Sequence, residues 1–298
     1  MITTVIKALY YIAFVVAAGV FGIDLKKKKD AGEWEEESTF KPIATGFITN
    51  FGDTLGIGSF APTVFLFKAL KHNIPNKLIP GTMNVADTFP VLLEAIIFTS
   101  KVEVEPVTLA VLIGAAVIGS YLGAGFIAKQ DGTRIQMIMG IALFVTAVLM
   151  ILSHPLVNLF PVGGDAIGLT GAKLVIGAVG NFILGALMTA GIGLYAPCMA
   201  MVYLLGMSPA VAFPIMMGSC ALLMPVASFK FIKEDVYAKK NSLWIALSGM
   251  VGVWVAYKFF SSLPMDYLKI MVIVVIIVTS IIMIRGALKA RKEGVTES

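Results

Sequence analysis

The chain has 298 residues, a net charge of +5 and a mean hydropathy of +0.91; 58% of its residues are hydrophobic and 14% are charged. A soluble domain carries about 25% charged residues, so this composition excludes an ordinary soluble protein. Unbroken apolar runs such as residues 270–284 exclude a transmembrane barrel, whose strands alternate in polarity. The chain is therefore predicted to be an all-α polytopic membrane protein. Its positive charges lie at segment ends, where membrane topology explains them and nucleic acid need not be invoked.

The first apolar segment covers about residues 5–23 and is followed at once by four lysines at 26–29. Cleavage of this segment as a signal peptide would leave the lysines at the mature end, so we interpret it as a retained helix with its N-terminus outside. Residues 24–41 are polar and contain four glutamates around Trp34. We interpret them as a solvated loop, so that residues 1–41 form an extra N-terminal transmembrane helix and a charged cytoplasmic loop.

A glycine- and proline-broken stretch occurs twice. Residues 54–63 recur as residues 189–198 with six identities and a spacing of 135, and both copies contain Gly-Ile-Gly followed by proline. The prolines at 62, 75, 80 and 90 recur 134 or 135 residues later. We therefore predict two homologous four-segment repeats with broken or re-entrant helices, at 42–153 and 168–286, joined by a linker at 154–167 and followed by a cytoplasmic tail at 287–298.

Each broken segment either crosses the membrane or folds back. As one helix, residues 42–71 would be about 45 Å long, which exceeds a hydrocarbon core of about 30 Å. Folded back at residues 56–58, they form two arms of about 20 Å. The lysines and arginines divide 15 to 8 between the two sides if both segments cross, and 18 to 5 if both fold back. The positive-inside rule favours folding back, which makes the repeats inverted; parallel, crossing repeats are the alternative. The C-terminus is cytoplasmic in both arrangements.

The two breaks predict a substrate site. If helices restart at Ala61 and Ala196, their first backbone N–H groups are unpaired, and Pro62 and Pro197 fit early helical positions. Two such positive helix ends meeting near the midplane would bind an anion without a buried arginine, whereas packing kinks are the structural alternative. The predicted substrate-binding residues come from both halves: Asn50, Thr54, Gly56, Gly58, Ser59, Asn84, Thr189, Gly191, Gly193 and Tyr195.

Three carboxylates lie in and after the first broken segment. A charged side chain within a membrane segment costs about 2.5 kcal/mol or more on insertion scales, so its presence calls for a reason. We predict that Asp53 and Asp87 couple transport to a proton or cation, with a helix cap or a structural hydrogen bond as the alternative. Glu94 shares a helix face with Asp87, but we place it nearer a membrane interface in a structural role. Cys198 and Cys220 are predicted to be small buried residues, and no metal or cofactor site is predicted.

The paired breaks resemble those of the sulfite exporter TauE/SafE family of transporters. Gly56-Ile57-Gly58 with Pro62, and Gly191-Ile192-Gly193 with Pro197, carry the resemblance, which covers the chain from about residue 42 onward. Family members typically continue the glycine run, where this chain has Ser59-Phe60 and Leu194-Tyr195, and the first helix lies outside the basic pattern. The resemblance implies a plasma-membrane transporter for small anions such as sulfite or an organosulfonate.

The sequence therefore predicts a secondary transporter of a small anion and not an enzyme. No Walker-type loop is present, so a proton, sodium or solute gradient is the expected driving force. An integral-membrane enzyme acting on a lipid phosphate is one alternative, but Arg134, Arg285 and Arg291 are the only arginines and none lies deep in a segment. An anion channel is the other. The predicted partners are a small anionic solute and the lipid bilayer, with no nucleic acid.

Overall fold

The structure is a computed structural model that describes residues 2–152, 157, 159, 164–191, 193–259 and 265–292. Most of the predicted linker at 154–167 lies outside the described residues. The same holds for Ile192, at the centre of the second break, and for the end of the predicted tail at 293–298.

The described residues form helices joined by short connections. In chain order the helices are α1 Ile2–Asp30, α2 Phe40–Thr54, α3 Phe60–Ala69, α4 Ile79–Thr99, α5 Pro106–Ile127, α6 Gly132–Leu152, α7 Gly171–Met188, α8 Tyr195–Leu204, α9 Ala212–Lys233, α10 Lys239–Phe259 and α11 Met265–Lys292. Single 3-10 turns at Asn76–Leu78 and Pro209–Val211 precede α4 and α9. Among the described residues, α1, α4, α5, α6, α7, α9 and α10 are long and apolar enough to cross a membrane, which confirms the polytopic helical class.

Helices α2 and α3 fold back on each other and form the first hairpin. Lys41 Nζ, near the start of α2, donates to the Lys71 carbonyl at 2.8 Å, and the Asn73 N–H donates to Glu37 Oε1 at 3.1 Å. The end of α3 therefore returns to the base of α2. The reversal begins at Gly56, whose φ of 82° lies in the left-handed region that glycine adopts without a Cβ penalty.

Helices α7 and α8 form the second hairpin in the same way. Lys173 Nζ donates to the Leu205 carbonyl at 3.0 Å, and the Ser208 N–H donates to the Ala166 carbonyl at 2.8 Å. Gly191, the counterpart of Gly56, has a φ of 91°. Both broken segments thus adopt the re-entrant arrangement, and three helices follow each hairpin within its half.

The two hairpins open at opposite ends of the bundle. Helix α4 starts beside the base of the first hairpin. The loop after α4 ends beside the base of the second, where the Glu105 N–H donates to the Ile167 carbonyl at 2.8 Å. Glu105 also caps α5, because its carboxylate accepts from the N–H groups of Val107 and Thr108. An odd number of crossings between the hairpins relates the two halves by inversion.

Each hairpin packs on helices of the other half. Helix α2 lies against α10 and α3 against α11, while α7 lies against α5 and α8 against α6; α4 and α9 pack together at the centre. Glycine permits the closest of these approaches, since a Cβ on Gly46 would meet the Ile245 carbonyl and a Cβ on Gly185 would meet the Ala116 carbonyl. We call these two contacts, α2 on α10 and α7 on α5, the glycine seams.

The loop after α1 is not simply solvated, so that interpretation was wrong for two of its glutamates. Glu35 accepts from the backbone N–H groups of Lys239 and Lys240, the latter at 2.6 Å, and so caps the start of α10. Glu37 reaches the base of the first hairpin through Asn73. The acidic loop therefore ties α1 to both halves of the bundle, a role that depends on contacts about 200 residues apart along the chain.

Candidate functional site

The tips of the two hairpins meet at a small cavity. It has a volume of about 10 Å³, which leaves room for roughly one water molecule. Its walls come from the first hairpin, from α4 and α9, and from the second hairpin. They comprise Asp53, Gly58, Ser59, Phe60, Val91, Met188, Gly193, Leu194, Tyr195 and Cys220. In this conformation the cavity is too small for a polyatomic anion.

Two helices begin at the cavity wall. Helix α3 starts at Phe60 and α8 at Tyr195, one residue before the predicted starts at Ala61 and Ala196. The preceding residues, Ser59 and Leu194, make no side-chain capping hydrogen bond. The first N–H groups of both helices therefore lack side-chain caps from these positions, and two positive helix ends face one small space.

Three carboxyl groups are buried around the first break. Asp53, Asp87 and Glu94 are at most 1% exposed. Asn50 Nδ2 donates to Asp87 Oδ1 at 3.1 Å, and the Asp53 carboxyl lies beside the Ser59 N–H. Among the described residues, Asp53 Oδ2 and Asp87 Oδ2 have no hydrogen-bond partner, and none of the three carboxyls forms an ion pair. The cluster therefore has buried oxygens that are open to a proton, a cation or water.

Glu94 lies between the two breaks, and its predicted place near a membrane interface was wrong. Its Oε1 is 2.7 Å from the Thr54 hydroxyl at the end of α2, and its Oε2 accepts from the Tyr195 hydroxyl at 2.9 Å at the start of α8. The seven-residue spacing from Asp87 had already put Glu94 on the right helix face. That spacing could not show how deeply Glu94 is buried between the two breaks.

The predicted site residues fall into three groups. Those that line the cavity are Asp53, Gly58, Ser59, Gly193 and Tyr195. Those hydrogen-bonded into the carboxyl cluster are Asn50, Thr54 and Asp87. The rest lie away from the cavity walls: Gly56 against Phe213, Gly191 against Met139, Thr189 bonded to the Ala186 carbonyl, and Asn84 bonded to the Pro80 carbonyl. As substrate contacts, all of these positions remain predictions.

The apolar part of the lining was not predicted. Met188 and Cys220 face each other across the second break, with Cys220 Sγ 3.5 Å from Met188 Sδ, and Val91 lies on the opposite wall. The burial of Cys198 and Cys220 agrees with the sequence. Nothing in the sequence separates lining residues of this kind from ordinary core residues, because both are apolar and lie in helices.

The base of the first hairpin holds a second buried polar cluster. The His72 side chain is buried, with Nδ1 3.5 Å from Glu37 Oε2 and 3.1 Å from Asn241 Oδ1. Burial lowers the pKa of His72, and the negative charge of Glu37 opposes this only in part. Burial would raise the pKa of Glu37, but hydrogen bonds from Asn241 and the Asn73 N–H, together with His72, lower it overall. This end of the bundle is thus arranged to hold a neutral histidine against a carboxylate.

Comparison with known families assigns the first half of the chain to a family. The family model for the sulfite exporter TauE/SafE matches residues 1–150, which is half of the chain. The match includes α1 and its lysine run, which the resemblance had left outside the family pattern. No curated protein and no solved structure matches the chain. The second half is related to the matched region through its repeat of the Gly-Ile-Gly break and the proline pattern.

Proposed function

Because the chain belongs to the sulfite exporter TauE/SafE family, a family of membrane transporters for sulfite-type anions, we propose that it is a secondary transporter of a small anion such as sulfite or an organosulfonate. One observation supports the proposed site above all others. The starts of α3 and α8, from opposite halves of the molecule, meet at one small cavity, and neither Ser59 nor Leu194 caps its own helix with its side chain. Helix starts that converge at a repeat interface bind anionic substrates in other transporter folds.

The chemistry of the cavity suits an anion that is held by backbone groups. Each helix end contributes about 0.3–1 kcal/mol toward an anion, and up to about 2 kcal/mol in a partly buried setting. Hydrogen bonds from N–H groups to a charged oxygen add about 1.5–3 kcal/mol each. The Ser59 hydroxyl and the Tyr195 hydroxyl are the polar side-chain groups at the two helix starts. The Ser59 hydroxyl would donate to the anion while the backbone supplies most of the attraction, since the one hydrogen of the Tyr195 hydroxyl goes to Glu94.

Alternating access is the proposed mode of transport. The cavity has to expand from about 10 Å³ to admit an anion, so one bundle must move relative to the other. Each hairpin opens at a different end and packs on helices of the opposite half. A relative rotation of the halves would therefore open a path along one hairpin while the other stays closed.

The charge distribution supports an orientation. The lysine run at 26–29 lies at the same end as the base of the first hairpin, because Lys28 pairs with Asp235 and Glu35 caps α10 there. The positive-inside rule makes this end cytoplasmic, with the C-terminus on the same side. We propose the plasma membrane as the location and residues 42–153 and 168–286 as the two transport repeats.

The carboxyl cluster supports coupling to protons through Asp53 and Asp87. An entering anion adds negative charge beside Asp53, which itself lies at the start of α3 next to the Ser59 N–H. Two like charges about 4 Å apart repel by about 4 kcal/mol at an effective dielectric of about 20. Proton uptake by the carboxyl removes that repulsion and frees the N–H for the substrate. Anion and proton would then bind together.

Flux into proteoliposomes tests the proposal. Purified protein is reconstituted and given labelled sulfite, sulfoacetate or control anions, with and without a pH gradient. We expect saturable flux of at least one small anion, faster with the gradient than without it. Absence of flux for every small anion, together with turnover of a lipid phosphate, would overturn the proposal. Flux with no saturation and no response to the gradient would indicate a channel.

A further inference from the structure

Glu94 joins the two halves of the molecule at the site. It belongs to α4, and its two carboxyl oxygens contact Thr54 of the first hairpin and Tyr195 of the second. It is fully buried, so any charge on it is felt across both breaks. No residue at the corresponding position of α9 repeats this bridge, since the counterpart of Glu94 is Phe229.

A count of hydrogens around Glu94 favours a protonated carboxyl. The Thr54 hydroxyl has one hydrogen, and the Asn50 carbonyl lies 2.9 Å from its oxygen as an acceptor. Glu94 Oε1 is only 2.7 Å from the same oxygen. Both short contacts are satisfied when Glu94 carries a proton and donates to Thr54, while Thr54 donates to Asn50. An ionised Glu94 would keep Tyr195 as a donor and would gain a second only if the neighbouring Asp53 carboxyl carried the proton instead.

Among the residues that the structure describes, no cation faces Glu94 to balance a charge. The titratable groups that face it are two carboxyls, a phenol and a thiol: Asp53 of α2, Asp87 of α4, Tyr195 of α8 and Cys220 of α9. Tyr10 of α1 contacts α4 nearer its C-terminal end, beside Thr99. The described titratable residues of α3 and α10 lie at the far ends of those helices, and α11 does not pack on α4. An unpaired buried charge costs several kcal/mol, which water can relieve only if the breaks separate.

We propose that Glu94 is a third proton-coupling residue, which holds a proton while the two breaks are closed and releases it as they part. Tyr195 is a positioning residue that links the protonation of Glu94 to the second hairpin. This inference rests on the proposed transport function and deepens it. The site can then close only when Glu94 is protonated. Movement of the anion is therefore always linked to movement of a proton.

Glu94→Gln tests the inference, because glutamine reproduces the protonated carboxyl. Its amide N–H can donate to Thr54 and its carbonyl can accept from Tyr195, so the closed form is retained. Glu103→Gln is the matched control, since Glu103 is exposed in the loop between α4 and α5. With the membrane potential clamped, a pH gradient of one unit drives about tenfold anion accumulation per coupled proton in the wild type. We expect Glu94→Gln to lower this accumulation by about tenfold, the share of one coupled proton, while keeping anion exchange at equal pH, and Glu103→Gln to keep both.

Infrared difference spectroscopy separates failure of the inference from failure of the transport function. The protonated-carboxyl C=O band should lose one component in Glu94→Gln and none in Glu103→Gln. Tyr195→Phe keeps the ring, as the counterpart Phe60 shows is compatible with the fold, and should shift that component and the pH profile of exchange. An unchanged band in both Glu94→Gln and Tyr195→Phe, or accumulation by Glu94→Gln equal to wild type, would overturn the inference. If the wild type exchanges no anion, the transport proposal fails, and the infrared bands still decide whether Glu94 holds a proton. Should Glu94→Gln not fold, the band shift in Tyr195→Phe decides alone.

Discussion

The two hairpins have the same kind of turn and the same length of second helix, and they differ in the side chains around the turn. Both reverse at a glycine with positive φ, and both continue into a ten-residue helix without a side-chain cap. Around the first break lie the polar residues Asn50, Asp53 and Asp87. The positions that repeat them in the second half carry Gly185, Met188 and Ala221. The fold therefore requires the break and the helix start twice, but it requires the polar groups only once. In the proposed mechanism, both halves attract the anion, whereas only the first half supplies the coupling residues.

The bases of the hairpins differ in the same sense. The first is closed by the buried His72 and Glu37 together with Lys41, while the second is closed by Lys173 donating to the Leu205 carbonyl. Because burial lowers the pKa of His72, the charge at the first base changes only as the pH falls below the usual range of histidine. The two bases therefore differ in the groups that close them.

The strongest test of the comparison is the side of the membrane at which each hairpin opens. Asn73 and Asp165 are exposed at the two bases, while the native Cys198 and Cys220 are buried. We expect a membrane-impermeant maleimide on intact cells to label Asp165→Cys and to leave Asn73→Cys unlabelled. The result is all or none. Permeabilised cells are the control and should label both, whereas labelling of both variants in intact cells would contradict the inverted arrangement.

The second prediction concerns unequal chemistry at the breaks. Asp53→Asn should reduce gradient-driven flux in proteoliposomes by at least about tenfold, the effect of losing about 1.4 kcal/mol of coupling. Met188→Leu changes the repeat-related position with little change in volume. Such swaps cost less than about 1.5 kcal/mol, so we expect a smaller loss. Equal losses in the two variants would mean that the first half has no special part in coupling.

The third prediction concerns what the halves have in common. Gly46→Ala and Gly185→Ala each place a methyl group against a backbone carbonyl across a glycine seam. We expect each to lower the free energy of unfolding by about 1–3 kcal/mol, seen as a lower thermal midpoint in detergent. Gly114→Ala is the control, because no atom lies within 4 Å of its added Cβ. It should be neutral or stabilising by up to about 1 kcal/mol. A large effect at one seam alone would show that the hairpins are not held equivalently.

Local pattern was enough to predict the helical membrane class and the two breaks, and the two hairpins are compatible with the predicted repeats and folding back. These features depend on spacing, segment length and charge at segment ends, all of which are written along the chain. The depth of Glu94 and the cap that Glu35 places on α10 could not be predicted, since each depends on helices that meet only after packing. Thr189 shows the converse. Identity with Thr54 suggested a shared role, but the packing of α7 on α5 turns Thr189 toward Gly123.

The smallest expected effect lies at the hairpin bases, where the sign follows from the lowered pKa values. In the folded protein the pKa of His72 is lower than in the unfolded chain, where the pKa of histidine is about 6.5. Stability from this group is therefore complete above about pH 6.5 and is lost as the pH falls toward the lowered value. Glu37 acts in the same direction at more acidic pH, because its carboxylate form is favoured in the fold. Mild acid should thus loosen the first hairpin through His72. The Glu105 cap beside the second base weakens only at more acidic pH, because the pKa of that carboxyl is also lowered.

His72→Gln should flatten this pH dependence. Between about pH 7.5 and about pH 5.5 we expect the wild type to lose up to about 1 kcal/mol, with the change largely absent in the variant. Thermal midpoints of detergent-solubilised protein across that range measure it.

Lys173→Met is the matched change at the second base. It should cost about 0.5–1.5 kcal/mol, because it removes the hydrogen bond to the Leu205 carbonyl. A wild-type profile retained by His72→Gln would place the pH response elsewhere. If the thermal midpoint of Lys173→Met did not change with pH, the proposed difference between the two bases would be wrong, because removing that lysine leaves the His72 cluster intact.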